Sequence, residues 1–178
     1  QRLFLPEEGI HMPGFDLAGL NLPSRAVSGD FYDYLRIAED QLGIMIGDVS
    51  GKGAPAALIM AGLRGAMRAE IRNNYRISEI MAKVNYLLWE STEPDRFATA
   101  VYGVLDQSRG IFTYSNAGHN PPLHLRADGT IGRLSEGGLI LGPFPESRYE
   151  EGWIRLLPGD VLLFYTDGVT EAVSAAGE

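Results

Sequence analysis

The chain has 178 residues, and its 15 Lys+Arg against 23 Asp+Glu give a net charge of −8. With 45% hydrophobic and 21% charged residues it has the composition of one folded domain with its own core, not of a disordered segment. The acidic balance disfavours nucleic acid and anionic membrane surfaces, and the absence of cysteine excludes disulfides, thiolate metal sites and a cysteine nucleophile.

Both ends read as cut. Gln1 to Glu8 begins without Met, and the chain stops at Ala176-Gly177-Glu178 at the start of a helix or turn. Residues 1–14 are therefore expected to be the end of an upstream linker, and 15–178 one domain shortened at its C-terminus. No apolar run reaches the ~20 residues of a membrane span, and no signal-peptide pattern opens the sequence. A cytoplasmic location is expected, with no membrane insertion in this segment.

In chain order, the loose alternation over Phe15 to Leu22 predicts a strand, and the aromatic and β-branched residues of Phe31 to Ile37 predict another. Leu42 to Val49 is a short apolar run that suits a buried strand, with Asp40-Gln41 closing a hairpin before it. Ala54 to Ile71 has helical spacing, with Pro55 tolerated in its first turn. A second helix is predicted over about Glu79 to Glu90, capped by Ser78. Strands resume over Phe97 to Leu105 and Ile111 to Asn116, joined by a turn at Gln107 to Gly110. Leu123 to Arg126 and Ile131 to Leu134 flank the turn pair Asp128-Gly129, and Tyr149 to Leu157 and Val161 to Thr166 flank Pro158-Gly159-Asp160. Strands and helices come in blocks, which predicts an α+β domain dominated by antiparallel sheet.

Three segments set acids beside glycines at strand ends: Ser28-Gly29-Asp30-Phe31-Tyr32-Asp33, Gly47-Asp48-Val49-Ser50-Gly51-Lys52-Gly53, and Tyr165-Thr166-Asp167-Gly168-Val169-Thr170-Glu171. A carboxylate that follows a buried apolar run is held rigidly at a sheet edge, and glycines let main-chain carbonyls turn toward a ligand. Carboxylate and carbonyl oxygens without thiols favour hard cations such as Mg²⁺ or Mn²⁺. Each loop read alone is an ordinary turn, and spacing alone names no reaction. A nucleotide phosphate loop is the rival reading. It fails because Gly47 to Gly51 is one residue short of the required spacing and Gly53 stands where a hydroxyl residue would hold Mg²⁺.

Taken together and in order, SGDFYD (28–33), GDVSGKGAPAAL (47–58), ATAVYGVLD (98–106), YSNAGHNPPLHL (114–125), GGLILGPF (137–144) and LLPGDVLLFYTDGVTEA (156–172) resemble the bacterial PPM-type (PP2C-like) serine/threonine phosphatases of the SpoIIE/RsbU branch. The resemblance runs over nearly the whole chain. It implies a PP2C-like β-sandwich of two antiparallel sheets flanked by helices. It also implies hydrolysis of phosphoserine or phosphothreonine by a water activated between two Mn²⁺ or Mg²⁺ ions, without an enzyme nucleophile. By resemblance Asp48 bridges both ions, the Val49 carbonyl is a further ligand, Asp30 serves the second ion and Asp167 the first. Asp48 and Asp167 are the expected catalytic residues.

The implied partners are a phosphorylated regulatory protein, such as an anti-sigma-factor antagonist, and an upstream sensor domain. A homodimer formed through upstream segments is a further expectation. Two departures stand out. The family's last acidic residue lies beyond Glu178, which leaves weak or absent activity of this fragment open. Ser50 stands where the eukaryotic branch has a histidine, so leaving-group protonation falls to water or another group. The alternative from another class is a non-catalytic regulatory module that kept the fold.

The remaining polar residues carry two readings each. His119 is a loop histidine hydrogen-bonded to backbone, or a residue near the mouth of the site. Lys52 attracts phosphate, or is a solvated loop lysine. Asp33 supports Asp30, or simply flanks a strand. His11 and His124 read as structural or exposed, and three histidines are too few for a His-rich zinc site.

Overall fold

The computed structural model describes residues 10–22, 28–73 and 76–172. Two strands come first, β1 (Phe31–Ala38) and β2 (Gln41–Val49), then two helices, α1 (Ala54–Asn73) and α2 (Ile77–Ser91). They are followed by β3 (Ala98–Asp106), β4 (Ile111–Ala117), β5 (Leu123–Leu125), β6 (Ile131–Arg133), β7 (Gly137–Gly138), β8 (Gly152–Arg155) and β9 (Val161–Leu163). A single helical turn, α3 (Asp167–Thr170), closes the order.

The strands make two sheets. The larger runs β1-β2-β3-β4-β7 with β8 also on β4, and the smaller runs β6-β5-β9. Neighbours are antiparallel except for the two-residue pairing of β4 with β7. The period-2 alternation of the central strands explains the layers. Met45 and Val49 of β2 and Ala100 and Tyr102 of β3 face Met60, Leu63 and Met67 of α1 and Ile80, Val84 and Leu88 of α2. The alternate residues Leu42, Ile44, Leu105, Phe112 and Tyr114 form the opposite core, with Leu162 and Phe164 from the smaller sheet's side packed against it. The continuous apolar run of β2 is thus a strand buried on both faces, with helices on one side and the second sheet on the other. This is the α+β sandwich expected from the sequence.

Several boundaries differ from expectation. The segment 15–22 is not a strand. Phe15 makes only an isolated bridge with Met12, and Leu20 and Leu22 are exposed. The segment touches β1 through side chains, as where the Tyr34 hydroxyl donates to the Ala18 carbonyl at 3.1 Å, and finds no ladder in register. The first hairpin turns at Glu39-Asp40, and Gln41 already pairs with Ala38. Helix α2 starts at Ile77 with Arg76 at its N-cap, so Ser78 lies inside the first turn. The Ser78 N–H donates to the Glu151 carboxylate at 2.8 Å, a cap from a distant residue that no local rule could see.

The predicted strand Tyr149 to Leu157 shrinks to β8. Its partner β4 gives Ile111 to Tyr114 to β8, while Asn116 and Ala117 pair with β7. The ladder of β9 ends at Leu163 because β5 has three residues to offer. Although β8 and β9 flank one tight turn, they belong to different sheets.

Helix α2 is tied to the 142–145 loop by the fully buried Asn85. Its amide donates to the Phe144 carbonyl at 2.8 Å, and its carbonyl accepts from Gly142 N–H at 2.9 Å. Asn85→Ala leaves these groups unpaired and is expected to lower stability by about 2–3 kcal/mol. The measurement is a shift in urea midpoint at unchanged slope.

Candidate metal centre

The register of the larger sheet begins the site. Phe31 pairs with Gly47, so Asp30, just before β1, comes alongside Asp48 near the end of β2. Asp167 arrives from the other sheet, four residues past the last residue of β9, as the first residue of α3. One carboxylate oxygen from each of Asp30, Asp48 and Asp167 lies within 4.8 Å of the others. The Thr166 hydroxyl hydrogen-bonds the Asp30 carboxylate and links the Asp167 segment to the first sheet.

Gathering three acids in one half-buried place has an electrostatic cost. Burial, and then the Asp30 and Asp167 charges, push Asp48 up to about 7. Asp30 is raised by burial and by the Asp167 charge, with the Thr166 and Asp48 hydrogen bonds acting in the opposite direction. A divalent cation would reverse this balance by favouring all three ionised forms.

Gly29 shows why a glycine precedes Asp30. A Cβ there would lie 2.4 Å from the Val49 carbonyl oxygen and 2.9 Å from Asp48 Oδ1. The Val49 side chain is in the core, while its carbonyl oxygen and Asp48 Oδ1 both lie against Gly29. The three carboxylates that meet here are an all-oxygen set that fits Mg²⁺ or Mn²⁺.

The other singled-out residues fall around this cluster or away from it. Asp33 does not support Asp30. It is buried against α1, with Arg68 Nε at 2.6 Å and Arg64 Nε at 2.8 Å from its Oδ2. Period-2 alternation puts Phe31 and Asp33 on the helix side of β1. Lys52 is exposed on the loop after Asp48. Ser50 is a clamp: its Oγ accepts from Phe97 N–H at 3.0 Å, and its own N–H donates to the Phe97 carbonyl at 2.9 Å. His124 is buried, with Nε2 2.8 Å from the Asp160 carboxylate behind the Pro158-Gly159-Asp160 turn. His11 is exposed.

His119 is more than a loop residue bonded to backbone. It is 4% exposed, and its Nδ1 lies 2.8 Å from Thr99 Oγ1. Burial pushes the imidazole down to about 4, against the opposing effects of the Tyr165 backbone and the Asp167 charge. Burial thus favours the neutral imidazole, a poor acid, over the imidazolium.

Thr99, inside the 98–106 motif, and Arg96 were not singled out in the sequence as site residues. An Arg96 Nη1 lies 2.7 Å from where a Cβ on Gly51 would be, so this cation rests on the loop after Asp48 because Gly51 lacks a side chain.

The two-sheet sandwich with this acidic cluster is that of the PP2C-type phosphatases. The family described as Stage II sporulation protein E (SpoIIE) matches residues 38–178. Phosphoserine phosphatase RsbU of Bacillus subtilis (strain 168) is 31% identical over 91% of the chain and 48% of its own length. Protein IcfG of Synechocystis sp. is 33% identical over 100% of the chain and 32% of its own length. The crystal structure of the RsbU and RsbW domains of Rv1364c from Mycobacterium tuberculosis superposes with a TM-score of 0.72, at 33% identity, covering 85% of this chain and 42% of that one. The chain belongs to the SpoIIE family of PP2C-type phosphatase domains. It spans about a third to a half of the length of these curated relatives. Among the described residues, no helix is long and apolar enough to cross a membrane.

Proposed function

We propose that this chain is a metal-dependent phosphatase domain that hydrolyses phosphoserine or phosphothreonine on a regulatory phosphoprotein. The observation that carries this reading is the meeting of Asp30, Asp48 and Asp167 within 4.8 Å, in a chain of the SpoIIE family. Asp48 would contact two ions, with the Val49 carbonyl as a further donor, Asp30 serving one ion and Asp167 the other. Two divalent ions so held would supply Lewis acidity toward the phosphoryl oxygens and a nucleophilic water at neutral pH. The chain's own part is to hold the oxygens in place. The β1–β2 ladder sets Asp30 beside Asp48, and Gly29 lacks the Cβ that would strike the Val49 carbonyl. In this reading residues 15–178 belong to the phosphatase domain, and Met12, buried in the same core as Leu42 and Leu105, extends it toward the N-terminus.

RsbU is named a phosphoserine phosphatase, and the Rv1364c structure joins an RsbU to an RsbW domain. These relatives support a phosphorylated regulator as substrate. A crystal structure of RsbX contains magnesium. The test is phosphate release from phosphoserine peptides and phosphoproteins with Mn²⁺ or Mg²⁺. Release that EDTA abolishes and either ion restores is the expected result. Mn²⁺ binding by the folded chain without release from any phosphoprotein would instead support the non-catalytic regulatory module.

A further inference from the structure

The pairing that carries Asp48 runs on past the end of its strand. Asp48 pairs with Thr99 and Val49 with Ala98. One step further, Ser50 and Phe97 hold each other through two hydrogen bonds, at 2.9 and 3.0 Å. Arg96 therefore stands opposite Gly51. At about 3.3 Å per residue it lies about 10 Å along the strand from the Asp48–Thr99 pair. This is the end of the larger sheet at which the three acids meet.

The backbone of Arg96 is pinned on both sides. Its N–H donates to the Glu93 carbonyl at 2.9 Å, and its own carbonyl lies against Gly142, where a Cβ would come within 3.1 Å. Its side chain is seated on Gly51, which takes φ +102° and leaves Nη1 the space a Cβ would fill. The fold thus gives this half-buried arginine a fixed place and nothing to hold. Among the described residues its guanidinium makes no hydrogen bond and no ion pair. Arginines fixed elsewhere do find oxygens: Arg64 and Arg68 share Asp33, and Arg36 donates to the His11 and Glu39 carbonyls.

A guanidinium presents paired N–H donors that match the oxygens of a phosphate or a carboxylate. Lys52, exposed on the same loop, sets a second positive charge nearby in a chain whose net charge is −8. Resting on the phosphatase reading above, we infer that Arg96 is a substrate-binding residue. Its guanidinium holds an oxyanion of the phosphoprotein beside the metal centre, either the phosphoryl group itself or a carboxylate next to the phosphoserine.

The test uses the full chain loaded with Mn²⁺ and reads binding by calorimetry, so turnover plays no part. The probes are two peptides with a non-hydrolysable phosphonate in place of the phosphoserine phosphate, one with neutral and one with acidic neighbours. Arg96→Ala is expected to weaken binding about tenfold to a hundredfold. Arg96→Lys, which keeps the charge and loses the fork, should fall between. For both variants, Mn²⁺ affinity and the melting temperature in EDTA should match those of the unmodified chain. Weaker binding of both peptides assigns the phosphoryl group to Arg96, and weaker binding of the acidic peptide alone assigns the neighbouring carboxylates. Equal peptide binding by Arg96→Ala and the unmodified chain overturns the proposal. So does failure of the loaded, unmodified chain to bind either peptide; Mn²⁺ binding lost in Asp48→Asn then leaves the metal site standing. A fall in Mn²⁺ affinity in Arg96→Ala large enough to account for the weaker peptide binding also overturns it, and makes Arg96 a brace of the Asp48 loop. No Mn²⁺ binding by the unmodified chain, or equal binding by Asp48→Asn, overturns the metal reading and this proposal with it.

Discussion

Asp48→Asn is expected to abolish metal-dependent phosphate release and, at the same time, to make the metal-free chain more stable. The first effect follows from removing the carboxylate placed between Asp30 and Asp167, and a loss of at least about a thousandfold is expected when the central carboxylate of such a site is removed. The second follows from linkage. In the folded chain Asp48 is raised to about 7, chiefly by burial and then by its two acidic neighbours. In the unfolded chain it returns to about 3.9. Between these values the folded state binds the extra proton, so stability falls as pH rises, and the penalty is fully present above pH 7. Because Asp48 is partly exposed, solvent screening reduces the penalty to about 1–2 kcal/mol. Melting curves in EDTA from pH 5 to 8 check this. The unmodified chain should lose stability toward pH 8, and Asp48→Asn should be higher at pH 8 and flatter. Excess Mn²⁺ should raise the melting temperature of the unmodified chain alone. A less stable variant in EDTA at pH 8 would mean that the carboxylate makes favourable contacts in the metal-free fold.

Asp33→Ala is expected to be the most destabilising of these single changes, by about 2–4 kcal/mol. Asp33 is 1% exposed and is the shared acceptor of two arginines on α1, and its Oδ1 also accepts from Tyr34 N–H at 2.9 Å. Its removal strands the Arg64 and Arg68 guanidiniums at the α1–β1 interface without their acid. Arg68 is about a third exposed and can turn to water, which holds the loss below that of a fully sealed pair. Urea unfolding of Asp33→Ala, Arg68→Ala and the double variant measures the coupling. The double variant should lose less than the sum of the singles. Additive losses would show that the acid and the arginine contribute independently.

Much of the architecture was legible locally. The run Leu42 to Val49 reads as a buried strand because it is apolar on both parities, and both of its faces are covered. The turns at Gln107 to Gly110 and Asp128-Gly129 declare themselves through residue type, and β3–β4 and β5–β6 pair across them. The segment 15–22 misled because alternation marks a chain that could join a sheet, not one that finds a free edge in register. Asp33 reads in the sequence either as support for Asp30 or as a strand flank, although its parity with Phe31 and the spacing of Arg64 and Arg68, one helical turn apart, point to its partners.

By itself the sequence determined the chemistry at hand: oxygen donors next to glycines, no thiol, and an order of motifs that belongs to one family. It also determined most strands and both long helices, because their periods are written in neighbouring residues. Tertiary structure alone decided that Glu151 caps α2, that β8 and β9 part into different sheets at one turn, and that His119 is sealed against Thr99, the cross-strand partner of Asp48. Those choices depend on contacts between segments far apart in the chain, where distance through space governs the energy and adjacency in sequence carries no information.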